Sequence, residues 1–153
     1  VVTDLVFTSP EGHRCTYRTL DPAVAKAKIK TFKSIISDSE LTFTFQPTET
    51  FLRDFSGIDS ILGGFASNFN FKVVDGTLMV TLSGDDNTAT IPVTECDSSI
   101  SSQNMFPIKQ FLTILKKAPS MDNVVVNIYD ERGSMEIKIV TEYAVYSYTL
   151  NSN

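Results

Sequence analysis

The stretch MFPIKQFLTILKKAPSMDNVVVNIYDERGSMEIKIVTEYAVYSYTL, residues 105–150, changes its hydrophobic period as it goes, and those changes decide the fold. MFPI is a short extended run. In IKQFLTILKK, Ile108, Phe111, Leu112 and Leu115 recur at helical spacing and so share one face. Ala118-Pro119 stops the helix, because proline cannot continue the hydrogen-bond ladder. NVVVNIY, MEIKIV and YAVYSYTL then read as three strands, the first two joined by the turn Asp130-Glu131-Arg132-Gly133. The unit is strand, helix, three strands.

The same order stands upstream, between residues 41 and 94. LTFTFQ alternates Leu41, Phe43 and Phe45 with Thr42, Thr44 and Gln46, the pattern of a strand with one buried face. Pro47-Thr48-Glu49 starts a helix, with Thr48 as N-cap and Glu49 at the positive end of the helix dipole. Phe51, Leu52, Phe55, Ile58, Ile61 and Leu62 follow at helical spacing, and Gly63-Gly64 ends the run. Gly57 inside it costs about 1 kcal/mol relative to alanine. NFNFKVV and TLMVTLS flank Asp75-Gly76, a strong hairpin signal, and Gly84–Asn87 turns the chain into TATIPVT. A polar loop, ECDSSISSQN, separates the two units. The pattern is duplicated without obvious residue identity. It predicts an α+β domain in which two helices pack side by side on one face of an antiparallel sheet of about eight strands.

Residues 1–40 read differently. DLVFTS and HRCTYR are two strands around Pro10-Glu11-Gly12, TLDPAVAKAK is a connection, and KIKTFKSI is extended. The chain opens on Val1, and the reading expects residues 1–40 to be the end of a preceding domain with its linker and 41–153 to be a domain of its own. With 153 residues, 42% hydrophobic and 20% charged, the composition is that of a globular protein with a core large enough to fold.

The inventory for catalysis is thin. His13 is the only histidine and lies beside a predicted turn. No phosphate loop, dinucleotide fingerprint, zinc spacing or nucleophile elbow is present, and GDDN at 84–87 has turn chemistry without calcium-loop spacing. Cys15 and Cys96 read as two reduced thiols. The expectation is a protein that is not an enzyme and needs neither metal nor cofactor. No apolar run is long enough to span a membrane and no signal peptide is seen, which points to the cytoplasm. Phe43, Phe45, Phe69 and Phe71 alternate with polar residues as core positions, whereas Tyr143, Tyr146 and Tyr148 are read as facing both sides of the last strand.

Charge is more informative. A net charge of −5 excludes a protein that coats DNA uniformly, because phosphate contacts need lysine and arginine. A local basic patch remains open. Lys26, Lys28, Lys30 and Lys33 fall close together with no acid between them. Lys109, Lys116 and Lys117 belong to the second helix, and Lys109 and Lys116, seven apart, share a face. The first helix has Arg53 against Glu49, Asp54 and Asp59. Spacing alone favours a solvated helix end suited to the dipole; the functional reading is a face aimed at a polyanion.

The repeated order resembles that of DNA sliding clamps, the processivity factors of DNA polymerases, and most resembles the clamp of T-even-type bacteriophages. PTETFLRDFSGIDSILGGFASNFNFKVVDGTLMVTLSG, residues 47–84, is similar to the first helix and hairpin of that family's C-terminal domain. Residues 104–150 are similar to its second helix and closing strands, and PEGHRCTYRTLDPAVAKAKIKTF to the end of the N-terminal domain and its linker. A two-domain clamp subunit is longer than this chain, so the resemblance implies a C-terminal clamp domain with a remnant of the one before it. It further implies a trimeric ring whose helices line a hole around double-stranded DNA. Arg53, Lys109, Lys116 and Lys117 would be the DNA-facing residues, and Lys26, Lys28, Lys30 and Lys33 additional basic contacts. The implied partners are duplex DNA without sequence preference, a replicative polymerase, a clamp loader and further copies of the chain. A structural or assembly module of a phage particle, with no role on DNA, explains the acidic composition equally well.

Overall fold

The computed structural model describes residues 4–8, 14–18 and Leu62 as backbone, and residues 40–61, 66–84 and 86–153 with their side chains. Contacts divide the chain into Val1–Ile36 and Ser37–Asn153. In the first unit β1 (Asp4–Thr8) and β2 (Arg14–Arg18) pair antiparallel, Asp4 opposite Arg18 and Thr8 opposite Arg14. The connection and the extended segment expected after β2 lie outside the described residues.

The second unit runs β3 (Phe43–Phe45), α1 (Glu49–Leu62), β4 (Asn68–Val74), β5 (Thr77–Ser83), β6 (Thr88–Glu95), β7 (Met105–Pro107), α2 (Ile108–Leu115), β8 (Val124–Tyr129), β9 (Ser134–Val140) and β10 (Val145–Asn151). Local chemistry sets the boundaries. Thr48 caps α1, its Oγ1 accepting the Phe51 N–H at 3.1 Å. Asp75 and Gly76 both have positive φ, 49° and 74°, the backbone a two-residue hairpin needs for its twist to match the flanking strands. α2 starts directly after Pro107 and closes at Lys116, whose N–H donates to the Leu112 carbonyl at 3.0 Å.

The strands form two four-stranded antiparallel sheets, in the orders β10-β9-β8-β3 and β6-β5-β4-β7. The orders interconvert when the first strand–helix–three-strand unit is exchanged for the second, so the duplication read from sequence is present in the topology. The single sheet of about eight strands is not. Each unit lends its short leading strand to the sheet built from the other unit's three long strands: Phe43 pairs with Ile128, and Phe106 with Phe69. Since β3 and β7 each pair on one side only, no ladder joins the sheets, and the two repeats interlock instead of lying edge to edge.

What joins the sheets is a shared core. Phe45 of β3 lies 5.8 Å from Phe71 of β4, ring centre to ring centre, which bridges one sheet to the other. Phe111 of α2 sits 4.8 Å from Phe69, 5.5 Å from Phe55 and 6.5 Å from Phe51, so both helices and a sheet meet at one ring. Val124, Val126 and Ile128 of β8 with Met135, Ile137 and Ile139 of β9 floor the other sheet, all essentially buried. Each phenylalanine buried in this way contributes about 1.5–3 kcal/mol by area alone.

Three expectations about exposure are corrected. Leu41 precedes the β3 ladder and is exposed, and Ile61, in the last turn of α1, is 83% exposed despite its helical spacing. Tyr143, Tyr146 and Tyr148 do not face both sides of a strand. β10 begins at Val145, which leaves Tyr143 in the tight turn closed by the Thr141 N–H on the Ala144 carbonyl. Tyr146 and Tyr148 share the helix-side face, opposite Ile139 and Ile137.

The outer face of the β10-β9-β8-β3 sheet carries a polar row across all its strands. Thr44 Oγ1 donates to Asn127 Oδ1 at 2.9 Å, and Asn127 Nδ2 donates to Glu136 Oε2 at 3.1 Å. Ser147 Oγ donates to Glu136 Oε1, and Lys138 Nζ lies 3.4 Å from Oε2. Burial alone would raise the Glu136 pKa, but the bonds from Ser147 and Asn127 and the Lys138 charge outweigh it, and the carboxyl is held below the usual glutamate range. The folded state therefore releases this proton more readily than the unfolded chain. Its stabilisation is complete above the ordinary glutamate pKa and is lost as pH falls through the depressed folded value. In urea titrations at a series of pH values, Glu136→Gln should flatten the acid limb of the stability curve; an unchanged acid limb would contradict this role.

Gly133, in the turn between β8 and β9, has φ 61°, and a Cβ there would lie 2.6 Å from Ser152 Oγ and 3.0 Å from Asn104 Oδ1. Gly133→Ala should therefore lower stability by about 1–3 kcal/mol, the cost of a side chain in the left-handed region. Urea unfolding measures it, and a loss within experimental error of zero would refute the assignment.

Candidate nucleic-acid interface

α2 has two unlike sides. Ile108, Phe111, Leu112, Ile114 and Leu115 are buried. Lys109, Gln110, Thr113, Lys116 and Lys117 are exposed, a stripe at spacings of three, four and seven residues along one side of the helix. The stripe has no acid. Thr113 Oγ1 donates back to the Lys109 carbonyl at 2.7 Å, so its methyl and hydroxyl stay close to the helix surface.

This matters against the charge of the rest. Between residues 40 and 153 stand seven Lys and Arg against fourteen Asp and Glu, and three of those seven bases are Lys109, Lys116 and Lys117. A predominantly acidic domain thus gathers three of its seven bases on one short helix.

The three lysines are not equivalent. Among the described residues neither Lys109 nor Lys116 is in an ion pair. Lys117 turns toward the sheet, its ammonium 5.3 Å from the centre of the Tyr148 ring, a contact worth about 0.5–1 kcal/mol at an exposed position. Lys117 is therefore partly occupied in seating the end of α2. Lys109 and Lys116 lie about 10 Å apart along the helix axis, a span over which duplex DNA presents roughly six phosphate charges.

The N-terminus of α2 adds to the field. Pro107 supplies no side-chain cap, and no acid occupies the first turn. The Ile108 N–H donates to the Ser67 carbonyl at 3.0 Å, and the partial positive charge left at the helix start lies within one turn of Lys109. Lys109 and Gln110 open onto a cleft of about 620 Å³ between the helices, with Asp59 and Ser60 of α1 on the far wall and Asn68 at its base. Asp59 limits the positive potential on that side.

α1 does not share the basic character. Arg53 is exposed but pairs with its neighbour Asp54 at 3.3 Å, and Glu49 is spent as an acceptor for the Met121 N–H at 2.9 Å. The structure thus brings Lys109 and Lys116 onto one exposed face, sets Lys117 at its end, and places Arg53 on the other helix beside an acid. Lys26, Lys28, Lys30 and Lys33 lie outside the described residues, as does His13. Gln110, Thr113 and the acid-free helix start are not evident from the sequence pattern alone, although the spacing that groups Lys109 with Lys116 also includes Thr113.

Among the described residues no three His, Cys, Asp or Glu side chains are grouped as metal ligands, and Cys96 is buried and free. At 84–87 the Gly84 N–H donates to the Asn87 carbonyl at 2.7 Å, which is turn chemistry, with Asp85 outside the described residues. No described helix is long and apolar enough to cross a membrane. No protein-family model matches the chain, and no curated protein matches it.

Proposed function

We propose that the protein is a sliding-clamp domain, a non-enzymatic processivity factor that holds duplex DNA through the exposed face of α2 and tethers a replicative polymerase to it. The observation that carries the reading is the acid-free stripe of Lys109, Thr113, Lys116 and Lys117 on a domain with twice as many acids as bases. A protein that must stay on DNA and still move needs weak, sequence-independent phosphate contacts, which solvated lysines supply. Base readers would pin it. An acidic remainder keeps the polyanion off every other face.

The duplicated two-sheet, two-helix layout supports the clamp reading, as does the way α1 and α2 meet at Phe111. In this reading Lys109 and Lys116 are the principal phosphate contacts, Lys117 a lesser one, and Arg53 a contact whose charge Asp54 largely cancels. Further copies complete the ring in the full-length form, and a polymerase and a clamp loader are the protein partners. Lys26, Lys28, Lys30 and Lys33 extend the basic contacts.

Fluorescence anisotropy of a labelled duplex, titrated at several salt concentrations, tests the DNA contact. Each phosphate contact contributes a slope of about −0.9 to log affinity against log salt, so the α2 lysines account for about −3, or about −2 if Lys117 stays on Tyr148, and the triple Glu variant should lose that share of the slope. The variant with Lys109, Lys116 and Lys117 all changed to Glu should lose affinity by on the order of tenfold or more with unchanged folding. Equal affinity in that variant would exclude the α2 face as the contact, and no binding by the wild type at the lowest salt would favour a structural module with no role on DNA.

A further inference from the structure

The exposed aromatic side chains of the second unit gather in one place. Every phenylalanine described with its side chain is buried or half-buried, and Tyr129 is buried. Tyr143 and Tyr146, at the start of β10, are instead 89% and 50% exposed. A cleft of about 360 Å³ opens there, lined by Lys117, Pro119, Ile139, Thr141, Tyr146 and Tyr148. It exists because α2, eight residues against fourteen in α1, stops before it covers Tyr146.

The cleft pairs an aromatic floor with a positive charge. Its lining holds one cation and no acid, and Glu142, next to Tyr143 in the turn, is not part of it. The last carbonyls of α2 do not oppose an anion, because those of Leu112, Ile114 and Leu115 accept the N–H groups of Lys116, Lys117 and Ala118. Lys117 keeps its ammonium 5.3 Å from the centre of the Tyr148 ring, and Lys116 before it belongs to the exposed stripe of α2. Tyr146 and Tyr148 share one face of β10 and stand about 7 Å apart along the strand. A ligand that suits both features has a flat apolar ring and an anion a few ångströms from it. A nucleotide with its base unstacked is such a ligand. In a duplex the bases are stacked and paired, so a single strand is what supplies one.

We propose that this cleft takes one base of a single-stranded nucleic acid, stacked on Tyr146, with the adjoining phosphate on Lys117. Stacking needs only a π face, so the site accepts any base. Lys116 and Lys117 make the path of the strand continuous with the α2 stripe. This binding goes beyond the duplex contact and stands without it, because the ligand is different and Tyr146 is not on α2.

A fluorescein-labelled oligothymidylate, which does not pair with itself, is titrated into the whole chain at low salt and followed by anisotropy. The wild type should bind it, and Tyr146→Ala should weaken binding by about fivefold or more, the effect of one lost base stack. Tyr146→Phe keeps the ring and should bind as the wild type does, with urea midpoints showing that both variants are folded. A blunt duplex offers no free base, so the two substitutions should leave its affinity alone. Oligothymidylate binding that depends on Tyr146, in a chain that does not bind duplex, would support the cleft and overturn the clamp reading. No binding by the wild type, Tyr146→Phe as weak as Tyr146→Ala, or an equal loss of duplex affinity would each overturn the proposal. So would self-association that shields Tyr146 in the wild type. A peptide of acidic and aromatic residues that binds through Tyr146 where the oligothymidylate does not would overturn it too.

Discussion

Everything else in the second unit depends on seven phenylalanine rings packed into one junction. Phe45, Phe51, Phe55, Phe69, Phe71, Phe106 and Phe111 come from β3, α1, β4, β7 and α2, and each lies within 6.5 Å of at least one other, centre to centre. Edge-to-face and tilted contacts of this kind add about 0.5–1.5 kcal/mol per pair to the burial of each ring. The junction does what no hydrogen-bond ladder does here, because the two sheets share no strand pair. Beside the rings, polar bonds tie the short β3 segment to the other repeat: Thr44 Oγ1 donates to Asn127 Oδ1, and Gln46 Nε2 donates to the Asp122 carbonyl, each at 2.9 Å.

The junction also determines what α2 can present. With Phe111 driven against Phe69 and Ile108, Leu112 and Leu115 buried beside it, the rotation of the helix about its axis is fixed. Lys109, Thr113 and Lys116 then have only the solvent side left. Shortness reinforces this. At eight residues the helix could not persist alone in water, so its orientation is wholly a product of the core. The same shortness uncovers Tyr146 on β10 and calls Lys117 down onto Tyr148. One packing decision thus fixes the cationic stripe, while Tyr146 beyond the end of the helix stays half exposed.

Much of this was legible in the sequence. The period changes of residues 105–150, the Thr48 cap and the Asp75-Gly76 turn each specify backbone through local chemistry, and each is found where expected. The exchange of β3 and β7 between repeats was not legible, because a run such as FTF or MFP states that it is a strand and not which strand it will pair with. Ile61 shows the same limit: helical spacing identifies a face, but only the extent of the neighbouring sheet decides whether the last turn of α1 is covered. In the candidate site, the grouping of Lys109 with Lys116 follows from spacing. The diversion of Lys117 to Tyr148 and the pairing of Arg53 with Asp54 are contacts that only the fold reveals. Lys26, Lys28, Lys30 and Lys33 lie outside the described residues.

The central claim is that duplex DNA meets this protein on one helix face whose orientation the phenylalanine junction sets. Amide chemical-shift mapping during titration with a short duplex at low salt tests it most directly. The account predicts shifts concentrated at Lys109, Gln110, Thr113 and Lys116, smaller changes at Lys117 and Arg53, and a quiet outer face around Glu136 and Asn127. Shifts clustered on the outer sheet face, or none on α2 at saturating DNA, would contradict it.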